Sequence, residues 1–231
     1  MLKFITKNQL MSTVSKENYL KVIFNHNHTS GENASTVKLA QELSVSNAAI
    51  SDMAKKLSQE GLISYKKYKG MELTDEGAKI ALNVIRRHRL WESFLIKVLD
   101  LPWSEVHDQA EKLEHHTSEF LIDKIDEYLN FPEFDPHGHP IPRKNGTLPK
   151  SPKHLLLADA EAGQEYELVQ VDDKNNKLID YLSKVGLILN KKFEVIDKLD
   201  FDKSLTVKFE NKTLSISQKI SESVLVKPVK K

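Results

Sequence analysis

The chain has 231 residues, 39% apolar and 29% charged, with a formal net charge of +1. That length holds one large domain or two to three small ones, and the near-neutral balance excludes a global electrostatic footprint for nucleic acid. The absence of cysteine excludes disulfides and thiolate metal sites and suits a cytoplasmic protein. No apolar run reaches the roughly 18 residues of a transmembrane helix, so no membrane partner is expected.

Residues 1–10 lack the apolar core of a signal peptide, and Met11 offers a second natural start. Residues 1–75 carry ten Lys against seven Asp or Glu, a modest local excess of positive charge. Tyr19, Leu20, Ile23 and Phe24 make a short helical stripe, and 26–33, with His26 and His28, read as polar surface loop. Ser35 or Thr36 caps a helix carrying Val37, Leu39, Ala40 and Leu43. The tight turn Ser44-Val45-Ser46 leads to a second helix with Ala49, Ile50, Met53, Ala54 and Leu57, ended by Gly61. Leu62 to Tyr65 then reads as a strand, Lys66 to Gly70 as a basic turn and Met71 to Leu73 as a return strand.

Two helices joined by a tight turn, then a basic hairpin, is the layout of a winged helix-turn-helix over residues 1–75. Its candidate contacts with double-stranded DNA are Thr36, with Ser46, Asn47, Ala48, Ala49 and Ser51 around the second helix start. Short side chains and free N–H groups there allow close approach to phosphates and base edges. Lys66, Lys67 and Lys69 in the wing would contact phosphate, giving affinity and salt dependence without sequence readout. A small helical domain for protein contacts is the competing reading, and it leaves the basic wing unexplained.

Residues 76–131 read as a helical domain. Pro102 breaks the stretch 86–118 into two helices, with Ser104 as N-cap of the second. His88 and Glu92, four apart, share one face, and His107, Glu111, Glu114 and His115 share another on the second helix. Imidazoles and carboxylates thus repeat where an ordinary amphipathic helix repeats Leu and Ile. Such donors suit a divalent first-row metal ion; the alternative is a solvated polar face. His116 points away and reads as surface. Leu90, Trp91, Phe94, Leu95, Val98, Leu99, Phe120, Leu121, Ile125, Tyr128 and Leu129 offer more apolar surface than a short hairpin can bury.

Six prolines make 132–152 an extended linker. His137 and His139 within it read as structural, because a proline-rich linker is poorly pre-organised for a ligand. From 153 to 231 the pattern is of short strands: Tyr166–Val171, Lys192–Ile196, Leu205–Phe209, Lys212–Ile216 and Ser223–Val226. One short helix, Leu178–Val185, and a tight turn at Asn211-Lys212 complete a small β-barrel. The fold class is therefore mainly α with small β parts.

The motifs RHRLWE (Arg87 to Glu92 within it), VHDQAEKLEH (Val106 to His115) and DPHGHPIP (Asp135 to Pro142), in this order after a winged helix, resemble the diphtheria toxin repressor family. These are metal-dependent transcription factors, some of them manganese sensors. The resemblance is close over Ser12 to Gly146 and looser beyond, where residues 153–231 are similar to the SH3-like C-terminal domain of longer members. It implies a homodimer formed by the middle helices and two metal sites per subunit. The primary site maps to Asn18, Glu111, Glu114 and His115, and the ancillary site to His88, Glu92 and His107, with Asp172 or Asp173 as a further ligand. Iron-sensing relatives have Cys where this chain has Glu111 and manganese sensors have Glu, which favours Mn2+, with Fe2+ as the alternative. Asn18 stands where manganese members carry Asp and iron members Met. Lys21 stands where manganese members carry a second acidic ligand, a role Lys cannot fill.

The function implied is a repressor of manganese- or iron-uptake genes, metal fixing the dimer geometry that fits a palindromic operator. A metalloenzyme is the less favoured reading: the chain lacks an HExxH motif and paired Glu-x-x-His motifs, and catalysis needs no winged helix. A winged-helix regulator answering a small organic ligand is the third.

Overall fold

The structure, a computed structural model, describes residues 7–30, 33–66 and 70–229. Lys67 and Lys69 of the wing lie outside the described residues. The chain divides into two compact units, Met1–Arg87 with Glu114–Thr117 and Pro142–Thr147, and His88–Leu113 with Ser118–Ile141 and Leu148–Lys231.

The first unit opens with α1 (Lys7–Ser30), α2 (Thr36–Glu42) and α3 (Asn47–Gln59). The hairpin β1 (Ile63–Lys66) and β2 (Gly70–Leu73) follows, and then α4 (Asp75–Leu99) begins. In α3, Ile50, Ala54 and Leu57 recur at steps of four and three, so one face is apolar and buried. They join Leu20, Ile23, Leu39 and Met71 in one fully buried core. Ser35 caps α2 by accepting from Lys38 N, and Ser46 caps α3 by accepting from Ala49 N. The hairpin is tied in by an isolated bridge between Ala34 and Met71. Helix α1 continues to Ser30, into the segment expected to be polar loop. His28 stacks on Phe24 at 5.4 Å, Asn27 Nδ2 donates to Met71 O at 3.3 Å, and His26 Nε2 lies 3.5 Å from Glu42. These polar side chains find partners from a helix, which composition alone does not reveal.

The second unit begins with the rest of α4, then α5 (Val106–Leu113) and α6 (Glu119–Tyr128). Leu90, Ile122, Ile125 and Ile141 form their buried centre, with Trp91, Phe94 and Leu129 against it. Two expectations shift here. Helix α5 starts at Val106 after a turn in which Glu105 N donates to Pro102 O, so Ser104 lies inside that turn and not at the cap. It stops at Leu113, so Glu114 and His115 lie in the turn leading to α6, where Ser118 is the N-cap accepting from Leu121 N.

The C-terminal part contains β3 (Leu155–Leu156), a 3-10 turn (Leu157–Asp159), β4 (Gln164–Val171) and α7 (Asn176–Val185). Strands β5 (Lys192–Lys198), β6 (Leu205–Phe209) and β7 (Lys212–Ile216), helix α8 (Gln218–Ser221) and β8 (Val224–Pro228) complete it. The sheet order is β3-β8-β4-β5-β6-β7, antiparallel throughout. Register shifts between Leu168 and Gln170 and between Val195 and Asp197 bend its strands. Its inward residues and the Leu178, Ile179, Leu182 face of α7 share one core. The hairpin turn is Glu210-Asn211, one residue earlier than expected, because Phe209 pairs with Lys212 and Glu210 takes the positive φ of 53°.

Candidate metal centre

One helical turn of α4 separates His88 from Glu92, and both side chains are buried. His88 Nε2 lies 3.1 Å from Glu92 Oε1 and 3.2 Å from His107 Nδ1 of α5. His107 Nδ1 is 3.3 Å from the same Glu92 oxygen. Glu92 is 0% exposed. Just past β4, Asp173 Oδ2 comes within 3.9 Å of His107 Nδ1 and 3.6 Å of His139 Nδ1. Asp172 is exposed and caps its own turn by accepting from Lys174 N at 3.1 Å. Of the two candidate aspartates, only Asp173 joins the cluster.

The linker histidines join it too, and the premise that this segment is poorly pre-organised does not hold. Asp135 Oδ1 accepts from the backbone N–H of both His137 and His139, closing a tight Asx turn. Val171 N donates to His137 O at 3.0 Å, and Trp103 Nε1 donates to Pro136 O at 3.0 Å. The Trp103 ring stacks on His137 at 5.7 Å. Gly138 has φ of 91°, and a Cβ there would stand 2.0 Å from Val169 O, so only glycine lets the turn sit this close to β4. His137 is fully buried with Nδ1 at 3.5 Å from Glu92 Oε1, and His139 Nδ1 is 3.4 Å from Asp135 Oδ2.

Burial opposes the charge on Glu92, but the His88 charge and the nearby His107 and His137 hold its carboxyl well below the usual range. Burial also opposes the charge on His137 and His139. Glu92 raises the first above its ordinary value and Asp135 the second, with Asp173 adding to both. Asp173 is lowered, its burial outweighed chiefly by His139. Protons on the imidazoles therefore balance the carboxylates, a place a divalent cation can take by displacing them.

The donor set fits such an ion. The ligand atoms of His88, Glu92, His107 and Asp173 lie within 4.8 Å of one another, as do those of Glu92, Asp135 and His137. Glu92 Oε2, both ring nitrogens of His137 and His139 Nδ1 are buried and make no hydrogen bond. Each such atom costs about 1–3 kcal/mol when unsatisfied, and coordination relieves several together.

The residues expected at a primary site behave differently. Glu111 belongs to the second unit and faces His88, its Oε1 3.7 Å from Nδ1. Glu114, His115 and Asn18 belong to the first. There Lys21 Nζ lies 2.7 Å from Glu114 Oε1, and His115 Nε2 lies 3.1 Å from that same oxygen. His115 Nδ1 lies 2.5 Å from Glu17 Oε2, whose other oxygen accepts from Arg87 Nη2 at 3.2 Å. Burial lowers the His115 imidazole, but the adjacent Glu114 and Glu17 carboxylates outweigh it and raise the group to about 9. Glu17 and Arg87 carry no helical metal-ligand signature, so sequence reasoning had no handle on them. Asn18 Oδ1 is buried and makes no hydrogen bond.

At the candidate DNA surface, Asn47, Ala48 and Ala49 are exposed at the start of α3. The Ser46 hydroxyl is engaged as the cap, and Ser51 Oγ donates to Asn47 O at 2.9 Å. Thr36 is half-buried as the first residue of α2, and Lys66 closes β1.

Comparison with known proteins agrees with this layout. Residues 11–71 match the N-terminal DNA-binding domain of iron-dependent repressors, 74–143 their metal-binding and dimerisation domain, and 155–228 the FeoA domain. The iron-dependent repressor IdeR of Mycobacterium bovis is 34% identical over 135 residues, 58% of this chain; the chain spans only 57% of that relative's length. The regulator MntR of Listeria monocytogenes is 33% identical over 126 residues, 54% of this chain and 87% of the relative. A manganese-dependent transcriptional repressor solved with manganese superposes with a TM-score of 0.84 at 32% identity, covering 93% of this chain and all of that one. The chain belongs to the diphtheria toxin repressor family of metal-dependent transcriptional regulators, the group that includes IdeR and MntR.

Proposed function

We propose that the chain is a metal-dependent, DNA-binding repressor of manganese- or iron-uptake genes, acting in the cytoplasm as a homodimer on a palindromic operator. The observation that carries the metal reading is the buried convergence on Glu92 of His88, His107 and His137, with Asp173 and His139 beside them. His88, Glu92, His107, His137 and Asp173 would hold the ion, and Asp135 with Trp103 would keep the linker turn in place. A bound divalent cation would supply positive charge to the Glu92 and Asp173 carboxylates and fix the distances between the elements that carry these donors. Oxygen donors with imidazole and no thiolate suit Mn(II), with Fe(II) next. Exposed Phe120, Leu121 and Tyr128 on α6, and Val98 and Leu99 on α4, would supply apolar surface for a second copy.

DNA duplexes selected by the Mn(II)-loaded protein from genomic fragments give the test. The chelated protein is titrated onto a selected duplex at fixed salt, with Mn(II), Fe(II) and Zn(II) added separately. Metal is expected to raise duplex affinity about 5–150-fold, and His88→Ala to remove most of that gain. Equal affinity with and without metal overturns the proposal. That result favours the second reading, a regulator that answers a small organic ligand. A cavity of about 480 Å³ lined by Ile96, Phe134, Leu189 and Lys227 among others is large enough to take one.

A further inference from the structure

We propose that the Lys21 ammonium is the resident cation of the Glu114–His115 site, standing where the family resemblance puts a metal ion. The inference rests on the reading of the chain as a metal-dependent regulator and assigns its ion response to the His88–Glu92–His107 centre.

Lys21 Nζ and His115 Nε2 converge on a single oxygen of Glu114, at 2.7 and 3.1 Å. The Glu114 side chain is 0% exposed and that of Lys21 is 12% exposed, so the pair is largely removed from water. An ion bound to Glu114 would have to displace the ammonium and would bring a second positive charge close to it in a site largely removed from water. The other face of His115 is occupied as well, because Nδ1 contacts Glu17, which Arg87 holds from the opposite side. Positive charge is therefore already supplied to both carboxylates by side chains. These contacts tie α1 to the 114–117 turn through side chains alone.

Asn18 completes the argument. It lies three residues before Lys21 on α1, hence on the same face, and its Oδ1 is buried without a hydrogen bond. A carboxylate at position 21 would add to Asn18, Glu114 and His115 as a fourth oxygen- or nitrogen-bearing group and would remove the competing cation. Position 21 thus decides whether this site takes an ion.

The test is equilibrium dialysis of the chelator-stripped full chain against Mn(II), with metal per chain read by elemental analysis. Lys21→Glu is expected to bind one more ion per chain than wild type, and adding His115→Ala to abolish the gain. Lys21→Met, which keeps the stem and removes the ammonium, is expected to gain the same ion with lower affinity. His115→Ala alone should leave the wild-type count unchanged. Equal counts in wild type and both Lys21 variants overturn the proposal, as does a wild-type count that falls on His115→Ala. Circular dichroism confirms folding, and Lys21→Met decides the matter should Lys21→Glu fail to fold. A His88→Ala chain that keeps the full count overturns instead the reading of the His88–Glu92–His107 centre, while the Lys21 comparison still stands.

Discussion

Asp135 holds His137 in place through the backbone: its Oδ1 accepts from His137 N at 2.8 Å, and from His139 N at 2.9 Å. One buried carboxylate oxygen thus fixes the backbone that presents His137 to Glu92 and His139 to Asp173. Asp135→Ala removes the acceptor, and loss of such a supporting group typically costs 10–100-fold in metal affinity. Asp135→Asn keeps an acceptor oxygen and should lose less. Titration calorimetry with Mn(II) gives the order wild type, Asn, Ala; equal affinity in all three would detach the linker turn from metal binding.

The buried carboxylate at the centre makes a second prediction. Glu92 faces three imidazoles from three different parts of the chain. Removing it leaves the raised, protonated His137 buried without the carboxylate that balances it, a loss that typically costs about 3–5 kcal/mol. Urea unfolding in the presence of chelator should show Glu92→Ala destabilised by about that amount at pH 6. Because the Glu92 pKa is depressed, its contribution is complete above the ordinary carboxylate pKa and disappears as pH falls below it. The wild-type and variant stabilities should therefore converge in acid.

Raising the pH acts on the metal-free chain in the opposite sense. His115 is raised to about 9 by Glu114 and Glu17, and His137 and His139 are raised by Glu92 and Asp135. A group with a raised folded pKa contributes stability that is whole below its unfolded value, near 6.5, and is lost as pH rises through the folded one. Thermal melts with chelator should thus show the melting temperature dropping between about pH 6.5 and 9.5, with a smaller drop in His115→Ala. Mn(II) affinity should move the other way, since His137 must release its proton to serve as a ligand. A melting temperature that rises across this range would contradict the ion-pair assignment.

Much of this centre was legible because helices project periodicity into sequence. His88 and Glu92 are four apart on α4, and His107 begins the next polar stripe, so their faces follow from spacing. The strands from Leu205 to Phe209 and from Lys212 to Ile216 were equally plain from alternation. Legibility fails where position depends on a distant backbone. His137 and His139 owe their placement to Gly138 against Val169 O and to an Asp135 turn, neither visible as a period. Asp172 and Asp173 are neighbours in a turn, and only the register of β4 decides which faces inward. Lys21 and Glu114 pair across 93 residues, so the sequence showed a missing ligand without showing what replaced it.

At the DNA surface, electrostatics separates stability from binding. Ala48 is exposed in the first turn of α3, where backbone N–H groups carry partial positive charge. Ala48→Glu places a carboxylate there, which favours the helix by about 0.3–1 kcal/mol and repels phosphate. Melting temperature and Mn(II) binding should be kept or slightly improved while duplex affinity falls at least about tenfold, a penalty of roughly 1.4 kcal/mol. Unchanged duplex binding would move the interface away from α3.

The apolar face of α6 makes the last prediction. Phe120 and Tyr128 are 73% and 70% exposed, on a helix that buries Ile122 and Ile125. Large apolar side chains left in water on a short helix favour burial against a second copy, at about 25 cal/mol per Å2 removed from water. Phe120→Asp puts a charge in that contact without touching Ile122 or Ile125. Sedimentation should show wild-type dimers and variant monomers with the same Mn(II) stoichiometry. Two recognition helices held about one DNA turn apart need the dimer, so the variant should also lose duplex affinity while each chain still loads its ion. A variant that stays dimeric would place the dimer contact on another face of the chain.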